Sequence, residues 1–169
     1  MNQVTAVILA AGEGKRMRSR QPKVLHPLCG RPLIAYPLRT ARALADRIVL
    51  VVGPNAEDVV ALAGSDVRSV VQRERLGSGH AVQRARPECG EGTILVLPGD
   101  MPLLSTETIE RLVDHHRKSR AAATVLTAVV AAPHGYGRIA RTGGRVKRIV
   151  EERDATAAER KIAEINTSV

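Results

Sequence analysis

Short apolar runs alternate with longer amphipathic segments along most of the chain. The runs are rich in Val, Ile and Leu and predict strands at residues 4–11, 47–52, 67–72, 93–97 and 122–130, of which those at 4–11 and 93–97 are expected to be buried. The segments between them have helical periodicity and predict helices at residues 32–45, 56–63, 79–85 and 106–117. Because parallel strands need crossover connections, this alternation predicts an α/β fold with a mainly parallel sheet and helices on both faces.

The pattern changes after Pro133. Residues 137–150 form two alternating stretches around Thr142-Gly143-Gly144, which is typical of a β-hairpin. A short helix at 155–160 and a last strand at 162–167 follow, so we expect a Rossmann-like sheet plus a C-terminal hairpin. No linker or repeat divides the chain. We therefore expect one domain over residues 1–169, incomplete at its C-terminal end because the chain stops on a strand.

The composition is that of one globular domain with an aliphatic core. The chain has 169 residues, 44% of them hydrophobic, with no Phe or Trp and only Tyr36 and Tyr136 as aromatic residues. Cys29 and Cys89 lack C-x-x-C spacing, which argues against zinc or a disulfide framework and favours reduced thiols in a cytoplasmic protein. The N-terminal apolar stretch is short and has no basic segment before it, so we expect neither secretion nor membrane insertion.

A formal net charge of +9 favours an anionic partner. The 26 basic residues are scattered among 17 acidic ones, without a long basic run or interleaved aromatic residues. Such scattering is a poor match to nucleic acid or to a membrane surface and suits a polyanionic small molecule better. Part of the excess charge is also explained by a solvated surface.

Glycines and cations follow the first predicted strand. Gly12 and Gly14 let the backbone turn at its carboxyl end, which is where open α/β sheets bind ligands. Backbone N–H groups there, with Lys15, Arg16 and Lys23, can neutralise an oligophosphate, so we predict a loop that binds a triphosphate. A tight turn with solvated cations is the alternative. The motif G-x-x-x-x-G-K-[ST] is absent, and a methionine replaces the third glycine of G-x-G-x-x-G.

Two more polar groups follow predicted strands. Asp100 comes after strand 93–97 and is well placed to hold a divalent cation against phosphate oxygens, although it could instead cap a turn. Gln72 ends strand 67–72, and its amide can donate to and accept from the edge of a nucleobase. His80 lacks a Ser/His/Asp arrangement, so we expect it to begin a helix and to have a structural role. Asp100 and the glycine loop would line one crevice of a parallel sheet.

Seven motifs occur in a specific order: L-A-A-G-x-G-x-R-M, P-K-V-L-H, Q-x-x-x-L-G-[ST]-G-H-A, G-D-x-P-L, Y-G-R-I, I-V-E and E-I-N-T. Across residues 4–167 the chain resembles the sugar-1-phosphate nucleotidyltransferases, and most closely the N-acetylglucosamine-1-phosphate uridylyltransferase domains of bifunctional bacterial enzymes. The resemblance implies the nucleotide-diphospho-sugar transferase fold. It also implies uridylyl transfer from UTP to N-acetylglucosamine 1-phosphate, which gives pyrophosphate and UDP-N-acetylglucosamine for cell-wall peptidoglycan.

The resemblance implies a role for each residue that matches a family motif. Contacts with uridine and the phosphates are implied for Leu9, Ala10, Ala11 and Gly12. The cations implied at the triphosphate, which are the catalytic candidates, are Arg16 and Lys23. Uracil recognition is implied for Gln72, Gly77 and Ser78, and Mg²⁺ binding for Asp100. Sugar binding is implied for Gly137, Glu151 and Asn166. A solvated carboxylate and a turn-forming amide are the alternatives for the last two.

The chain departs from the family pattern at two positions. Ser78 stands where Thr is usual and keeps the hydroxyl, while Pro98 replaces a frequent Tyr and loses a ring and a donor. In the family a second Mg²⁺ ligand, an Asn, and an acetyltransferase domain lie beyond position 169. We therefore expect residues 1–169 alone to bind UTP with weak turnover or none. A sugar-nucleotide-binding module without turnover, another sugar-1-phosphate nucleotidyltransferase, and a homo-oligomer stay open.

Overall fold

The computed structural model describes residues 3–12, 14, 17–19 and 21–169. The chain divides into two compact units, Met1–His115 and His116–Val169, called here the first and second units. The strands of the described residues are, in order, β1 (Val4–Ala10), β2 (Pro27–Leu28), β3 (Arg31–Pro32), β4 (Arg47–Val52), β5 (Val67–Val71), β6 (Thr93–Pro98), β7 (Thr127–Val129), β8 (Arg138–Thr142), β9 (Arg145–Val150) and β10 (Glu164–Asn166). The α-helices are α1 (Ala35–Leu44), α2 (Glu57–Ala63), α3 (Ser78–Cys89) and α4 (Thr106–Ser119).

The first unit is built on a parallel sheet with strand order β5-β4-β1-β6. Its strands end in register: Leu9 lies opposite Pro98, Ala10 opposite Val52, and Val52 opposite Val71. The chain steps from β1 to β4 to β5 in one direction and returns to the other side of β1 as β6. The order therefore reverses between β1 and β6, which is where open α/β sheets form a ligand crevice.

Helices cover this sheet. α3 packs its Ala81 and Ala85 against Val7, Val49 and Val51 of the two central strands. The crossovers through α1 and α2 step across the sheet from β1 to β4 to β5, whereas the crossover through α3 steps back from β5 to β6. Since crossovers between parallel strands are right-handed, α1 and α2 lie on the face opposite α3. The α/β fold with a mainly parallel sheet is confirmed.

The core of the first unit is aliphatic, as its composition predicts. The largest buried side chains there are Ile8, Ile34, Leu38, Leu50, Leu97 and Ile109. The Tyr36 hydroxyl reaches out of this core and donates to the Leu28 carbonyl at 2.6 Å. Cys29 is exposed and Cys89 is buried, both as free thiols, and burial raises the pKa of the Cys89 thiol. None of the helices in the described ranges is long and apolar enough to cross a membrane.

Element boundaries in the first unit differ from the predictions at a few ends. α1 begins at Ala35 because residues 27–32 pair as the small β2–β3 ladder, which turns at Cys29 and Gly30 with φ of 49° and 75°. α3 continues to Cys89, beyond its predicted end at 85. Ser105 caps the start of α4, because its hydroxyl accepts the Thr108 N–H at 3.1 Å.

The second unit is an antiparallel sheet with strand order β7-β10-β8-β9. The predicted hairpin is confirmed as β8 and β9, and Gly143 and Gly144 turn between them with φ of 56° and 77°. The strand predicted at 122–130 is shorter, since only Thr127–Val129 pairs.

The helix predicted at 155–160 is wrong. Short 3₁₀ turns occupy Glu152–Asp154 and Glu159–Lys161 instead. The N–H and hydroxyl of Thr156 both donate to the Glu159 carboxylate, at 2.9 and 2.7 Å, and this closes a single local turn. Ala155 is buried in an extended conformation just before it, so the apolar side chain serves the core of the second unit rather than a helix face.

Candidate active site

The carboxyl edge of the parallel sheet gathers the three polar groups predicted from the first unit's sequence. The hydrogen-bond ladder continues one residue past the strands: the Gly99 N–H donates to the Leu9 carbonyl at 2.9 Å, and the Gln72 N–H to the Val52 carbonyl at 2.8 Å. The loop after β1, the segment after β5 and Asp100 therefore emerge along one edge. The predicted shared crevice for Asp100 and the glycine loop agrees with this arrangement.

Gly99 allows β6 to end close beside β1. A Cβ added to Gly99 would lie 2.8 Å from the Leu9 carbonyl oxygen and 3.4 Å from the Ala10 Cβ. Any side chain there would push the two strand ends apart, so glycine is required by a close backbone approach. Asp100 is the next residue, so it lies beside the loop that follows β1.

Lys23 and Asp100 form an ion pair at this edge. Their side chains are 34% and 30% exposed, so both groups can still meet a ligand. Gly14 makes room for the lysine, because a Cβ on Gly14 would lie 2.6 Å from the Lys23 Cβ and its φ is +63°. The glycine loop, a lysine and a carboxylate thus lie in one cluster.

The cluster fits a metal that is bound together with a substrate. Among the residues described in the structure, no group of three His, Cys, Asp or Glu side chains could hold a metal ion. Mg²⁺ is commonly held by one or two carboxylates, with phosphate and water oxygens completing its octahedron. A single partly exposed Asp100 beside a phosphate loop matches that pattern, and it does not match a metal cage made by protein alone.

Exposed backbone surrounds the same edge. A Cβ added to Gly12 or to Gly77 would meet no atom of the described residues within 4 Å, so these residues leave both backbones open to a ligand. Gly77 has φ of +99°, a conformation that glycine adopts without strain. Ala10 and Ala11 are buried, Leu9 is partly buried, and Ser78 is exposed as the first residue of α3. Lys15 and Arg16, predicted to contact phosphate, lie outside the described residues.

Gln72 and His80 are in contact behind this edge. The Gln72 side chain is buried, and its Nε2 lies 3.1 Å from the Gly77 carbonyl oxygen and 3.0 Å from His80 Nδ1. His80 is in the first turn of α3, as predicted. The candidate base-reading amide is therefore fixed by protein acceptors on one side.

Sequence reasoning missed Arg75. Its Nε donates to the Ala11 carbonyl at 3.1 Å and ties the segment after β5 to the loop after β1. The sequence signal was only a basic residue inside the stretch that ends in L-G-S-G-H-A. A contact with a backbone carbonyl 64 positions away leaves no spacing pattern to find.

In the second unit, the three residues predicted to bind sugar lie together. The Asn166 N–H donates to the Gly137 carbonyl at 2.8 Å. A Cβ added to Gly137 would lie 3.3 Å from Glu151 Oε1 and 3.6 Å from the Asn166 Cβ. A carboxylate and an amide thus flank a glycine, which suits hydrogen bonds to hydroxyl groups.

A buried ion pair, also missed from the sequence, supports this cluster. Arg138 is 1% exposed, and its Nη2 donates to Glu152 Oε2 at 2.7 Å. The same Glu152 oxygen accepts the Gly135 N–H at 3.1 Å. The Arg138 hydrogen bond, helped by that of Gly135, holds the pKa of Glu152 below its ordinary value. The pair therefore ties the segment before Gly137 to the residue after Glu151.

Residues 6–164 match the family model described as the MobA-like NTP transferase domain. The chain belongs to this family. The nucleotidyltransferase class predicted from the sequence motifs is thereby confirmed.

Curated relatives extend the match over the whole chain. It is 53% identical over 175 residues to the bifunctional protein GlmU of Geotalea uraniireducens, which covers 100% of this chain and 38% of that protein. It is 49% identical over 173 residues to GlmU of Brevibacillus brevis, again covering 100% of this chain and 38% of the relative. The chain thus spans well under half the length of these relatives. The resemblance to a bifunctional bacterial family is confirmed.

Solved structures agree on the fold. A UDP-glucose pyrophosphorylase complexed with UDP-glucose superimposes with a TM-score of 0.81 at 18% identity, covering 99% of this chain and 75% of that one. The inositol-1-phosphate CTP transferase of T. maritima gives a TM-score of 0.69 at 19% identity, covering 99% and 69%. At such identities the likeness establishes the nucleotide-diphospho-sugar transferase fold.

Proposed function

We propose that this chain carries the site of a uridylyltransferase that makes UDP-N-acetylglucosamine and pyrophosphate from UTP and N-acetylglucosamine 1-phosphate. The observation that carries the proposal is the shared sheet edge of the first unit. There a glycine loop, the Lys23–Asp100 pair and the Gln72 amide lie along strand ends that are in register, in a chain of the NTP transferase family. The choice of substrates comes from the motif resemblance, and the 53% identity to a GlmU protein supports that resemblance.

On the nucleotide side, the backbone from Leu9 to Gly12 would contact uridine and phosphates, with Lys23 and Arg16 on the triphosphate. The open space over Gly12 supports this, because N–H groups there can reach phosphate oxygens directly. Gln72, Gly77 and Ser78 would read uracil.

The reaction needs no general base. A phosphate oxygen of the sugar 1-phosphate is already anionic and attacks the α-phosphorus of UTP in line, forming a new P–O bond. The bond from the α-phosphorus to the bridging oxygen breaks, and pyrophosphate leaves with the electron pair. The protein's task is to position the two phosphates and to neutralise charge, and Lys23 supplies a cation for the leaving group.

Asp100 would hold Mg²⁺ together with phosphate oxygens. When bound, the ion would neutralise negative charge on the triphosphate. The Lys23–Asp100 ion pair keeps both side chains at the sheet edge. A phosphate oxygen would pair with the lysine there, and a metal ion with the carboxylate.

On the sugar side, the cluster of the second unit would bind the acceptor. Glu151 can accept hydrogen bonds from hydroxyl groups, and the Asn166 amide can both donate and accept. Gly137 leaves room between them, since any side chain there would contact the Glu151 carboxylate. These contacts would select the sugar without touching the nucleotide.

The test is pyrophosphate release by the whole protein of the source organism. UTP and Mg²⁺ are supplied with N-acetylglucosamine 1-phosphate or, in parallel, with glucose 1-phosphate. We expect release to depend on the N-acetylated sugar and to yield UDP-N-acetylglucosamine by mass spectrometry. Equal release with both sugars, or none with the N-acetylated one, would contradict the proposal.

Glu151→Ala and Asn166→Ala test the division of substrates. Each should raise the KM for sugar 1-phosphate by about tenfold or more, because a lost hydrogen bond to one substrate weakens that substrate alone. The KM for UTP should change by less than about twofold. Asp154→Ala is the matched control, since Asp154 is exposed in the same segment and pairs only with its neighbour Arg153 among the ion pairs that the structure describes. An equal loss for both substrates would refute the assignment.

A further inference from the structure

The Gln72 amide has a defined orientation. Its Nε2 lies within hydrogen-bond distance of two protein atoms, the Gly77 carbonyl oxygen at 3.1 Å and His80 Nδ1 at 3.0 Å. A backbone carbonyl can only accept, so the amide nitrogen rather than the amide oxygen must face Gly77. The other N–H is then directed to His80 Nδ1, which accepts it. The His80 ring must therefore carry its proton on Nε2.

The surroundings of His80 are compatible with that tautomer. The ring is partly exposed and lines an open surface groove with Val71, Arg73, Glu74 and Arg84. Water in an open groove can accept from a ring N–H, so the accepting state of Nδ1 leaves no buried donor without a partner. α3 begins at Ser78 and fixes the histidine in its first turn.

This orientation decides what a ligand meets. Both N–H groups of the amide are used within the protein, so Oε1, a pure acceptor, is the group left for a ligand. The reversed amide would set Oε1 against the Gly77 carbonyl and against an accepting ring nitrogen. Two acceptors facing each other without a proton repel, so the Gly77 carbonyl disfavours the reversed state, and His80 adds to this preference when its Nδ1 is the accepting nitrogen.

Uracil and cytosine differ in the group that such an acceptor would read. Uracil carries a hydrogen on N3, whereas N3 of cytosine has a lone pair. An outward acceptor therefore suits uracil, and a reversed amide with an outward donor would suit cytosine. A mismatch that leaves buried polar groups unpaired gives large discrimination.

We propose that His80 is a specificity-determining residue that acts through Gln72: its Nδ1 holds the amide with the acceptor toward the base and so favours UTP over CTP. The proposal rests on the proposed function, from which it takes the nucleotide base as the ligand of Gln72. His80 is a positioning residue and does not itself touch the substrate.

The experiment compares kcat/KM for UTP and CTP in the whole protein with saturating sugar 1-phosphate. His80→Leu removes the acceptor, and His80→Asn retains one in its side-chain oxygen. We expect the UTP-to-CTP ratio to fall about tenfold or more in His80→Leu and to stay within about threefold in His80→Asn. His115→Leu, the same change at an exposed histidine of α4, should leave the ratio unchanged.

A double-mutant cycle separates positioning from general damage. In a Gln72→Ala background, His80→Leu should produce no further change in the ratio, because the amide it orients is gone. If His80→Leu lowers kcat/KM equally for both nucleotides, or shifts the ratio equally with and without Gln72, the inference is overturned. Folding is monitored by melting temperature, and His80→Asn keeps the test decisive if the leucine variant is unstable.

Calorimetric dissociation constants for UTP and CTP distinguish this inference from the proposed function. If the wild type makes no UDP-sugar but binds UTP more tightly than CTP, the proposed function fails while a fall of the binding ratio in His80→Leu still supports the role of His80. If the wild type binds both equally, or the ratio persists in the variant, the role of His80 is overturned.

Discussion

The two units place their candidate site residues by different physical means. In the first unit, the parallel strands end in register, and backbone hydrogen bonds of Gln72 and Gly99 place Gln72 and Asp100 at one edge of the sheet. In the second unit, the buried apolar side chains are Ile139, Val150, Ala155 and Ile165. Three ion pairs add to these apolar contacts: Arg138–Glu152, Arg141–Glu164 and Arg148–Glu159. We therefore expect that a site residue of the first unit can be replaced without a loss of stability. In the second unit, we expect stability to depend on charged residues that also support the site.

The largest expected effect is at Asp100. Asp100→Asn in the whole protein should lower kcat by about 10³-fold, because a neutral amide holds Mg²⁺ poorly and leaves charge on the triphosphate uncompensated. The melting temperature should be unchanged, since this partly exposed side chain is not part of the hydrophobic core. Asp66→Asn, which removes a carboxylate of an exposed ion pair with Arg42, is the control and should leave kcat unchanged. Near-normal kcat at saturating Mg²⁺ would end the metal assignment.

The second prediction concerns the buried ion pair. Arg138→Met should lower the melting temperature by roughly 10 °C, since it leaves Glu152 without its main partner in a mostly buried position. Arg148→Met removes an exposed member of another ion pair in the same unit and should cost less than about 2 °C. Differential scanning calorimetry measures both. Similar shifts in the two variants would show that burial of the pair does not decide its contribution.

The contrast between the units also explains what the sequence predicts well. Runs of Val, Ile and Leu predict the strands of the parallel sheet closely. The two central strands, β1 and β4, are buried on both faces and therefore need no alternation of apolar and polar residues. Once the strands are parallel and in register, the edge shared by the glycine loop and Asp100 follows. The hairpin of the second unit is predicted for a local reason, the Gly143-Gly144 turn.

What the sequence does not predict depends on contacts between distant residues. The pairing of Lys23 with Asp100 requires the path of the chain after Gly14, and no spacing rule encodes it. The predicted helix at 155–160 fails because Thr156 and Glu159 close one turn on each other. Side-chain pairs decide the local structure there, whereas backbone periodicity decides it in the parallel sheet.

The third prediction concerns acid. A hydrogen bond from Arg141, followed by one from Thr127, lowers the pKa of Glu164 from 4.5 to about 2. The folded state then binds fewer protons than the unfolded state, so this pair stabilises the fold above the ordinary pKa and loses its effect as the pH falls from about 4.5 toward 2. Glu152 and Glu159 shift in the same direction.

Amide hydrogen exchange, corrected for intrinsic rates, tests this prediction. Protection in β8–β10 should fall more between about pH 5 and about pH 3 than protection in β1 and β4, where no buried side chain is charged. Arg141→Gln should reduce the acid sensitivity of β8 and β10, because it removes the group that lowers the Glu164 pKa. Equal acid sensitivity of the two sheets would contradict the comparison.

The smallest expected effect is at the glycine loop. Gly14→Ala should destabilise the fold by about 1 kcal/mol, because alanine is strained at a φ of +63° and its Cβ would press on Lys23. The displaced lysine should also weaken UTP binding, measured by calorimetry. Gly144→Ala is the matched control: its φ of +77° is similar and no atom lies near the added Cβ, so UTP affinity should not change.

Because aromatic residues are scarce, each unit contains a single tyrosine whose spectroscopic signal reports on that unit. With no Trp or Phe, the near-ultraviolet signal of the chain comes from Tyr36 in the first unit and Tyr136 in the second. Tyr36 is anchored through its hydroxyl to Leu28, while Tyr136 is half exposed and adjoins Gly137 of the sugar cluster. Fluorotyrosine incorporated into these residues would give one ¹⁹F resonance for each unit. A titration with sugar phosphate could then be followed at Tyr136 and unfolding of the parallel sheet at Tyr36, without attaching a dye.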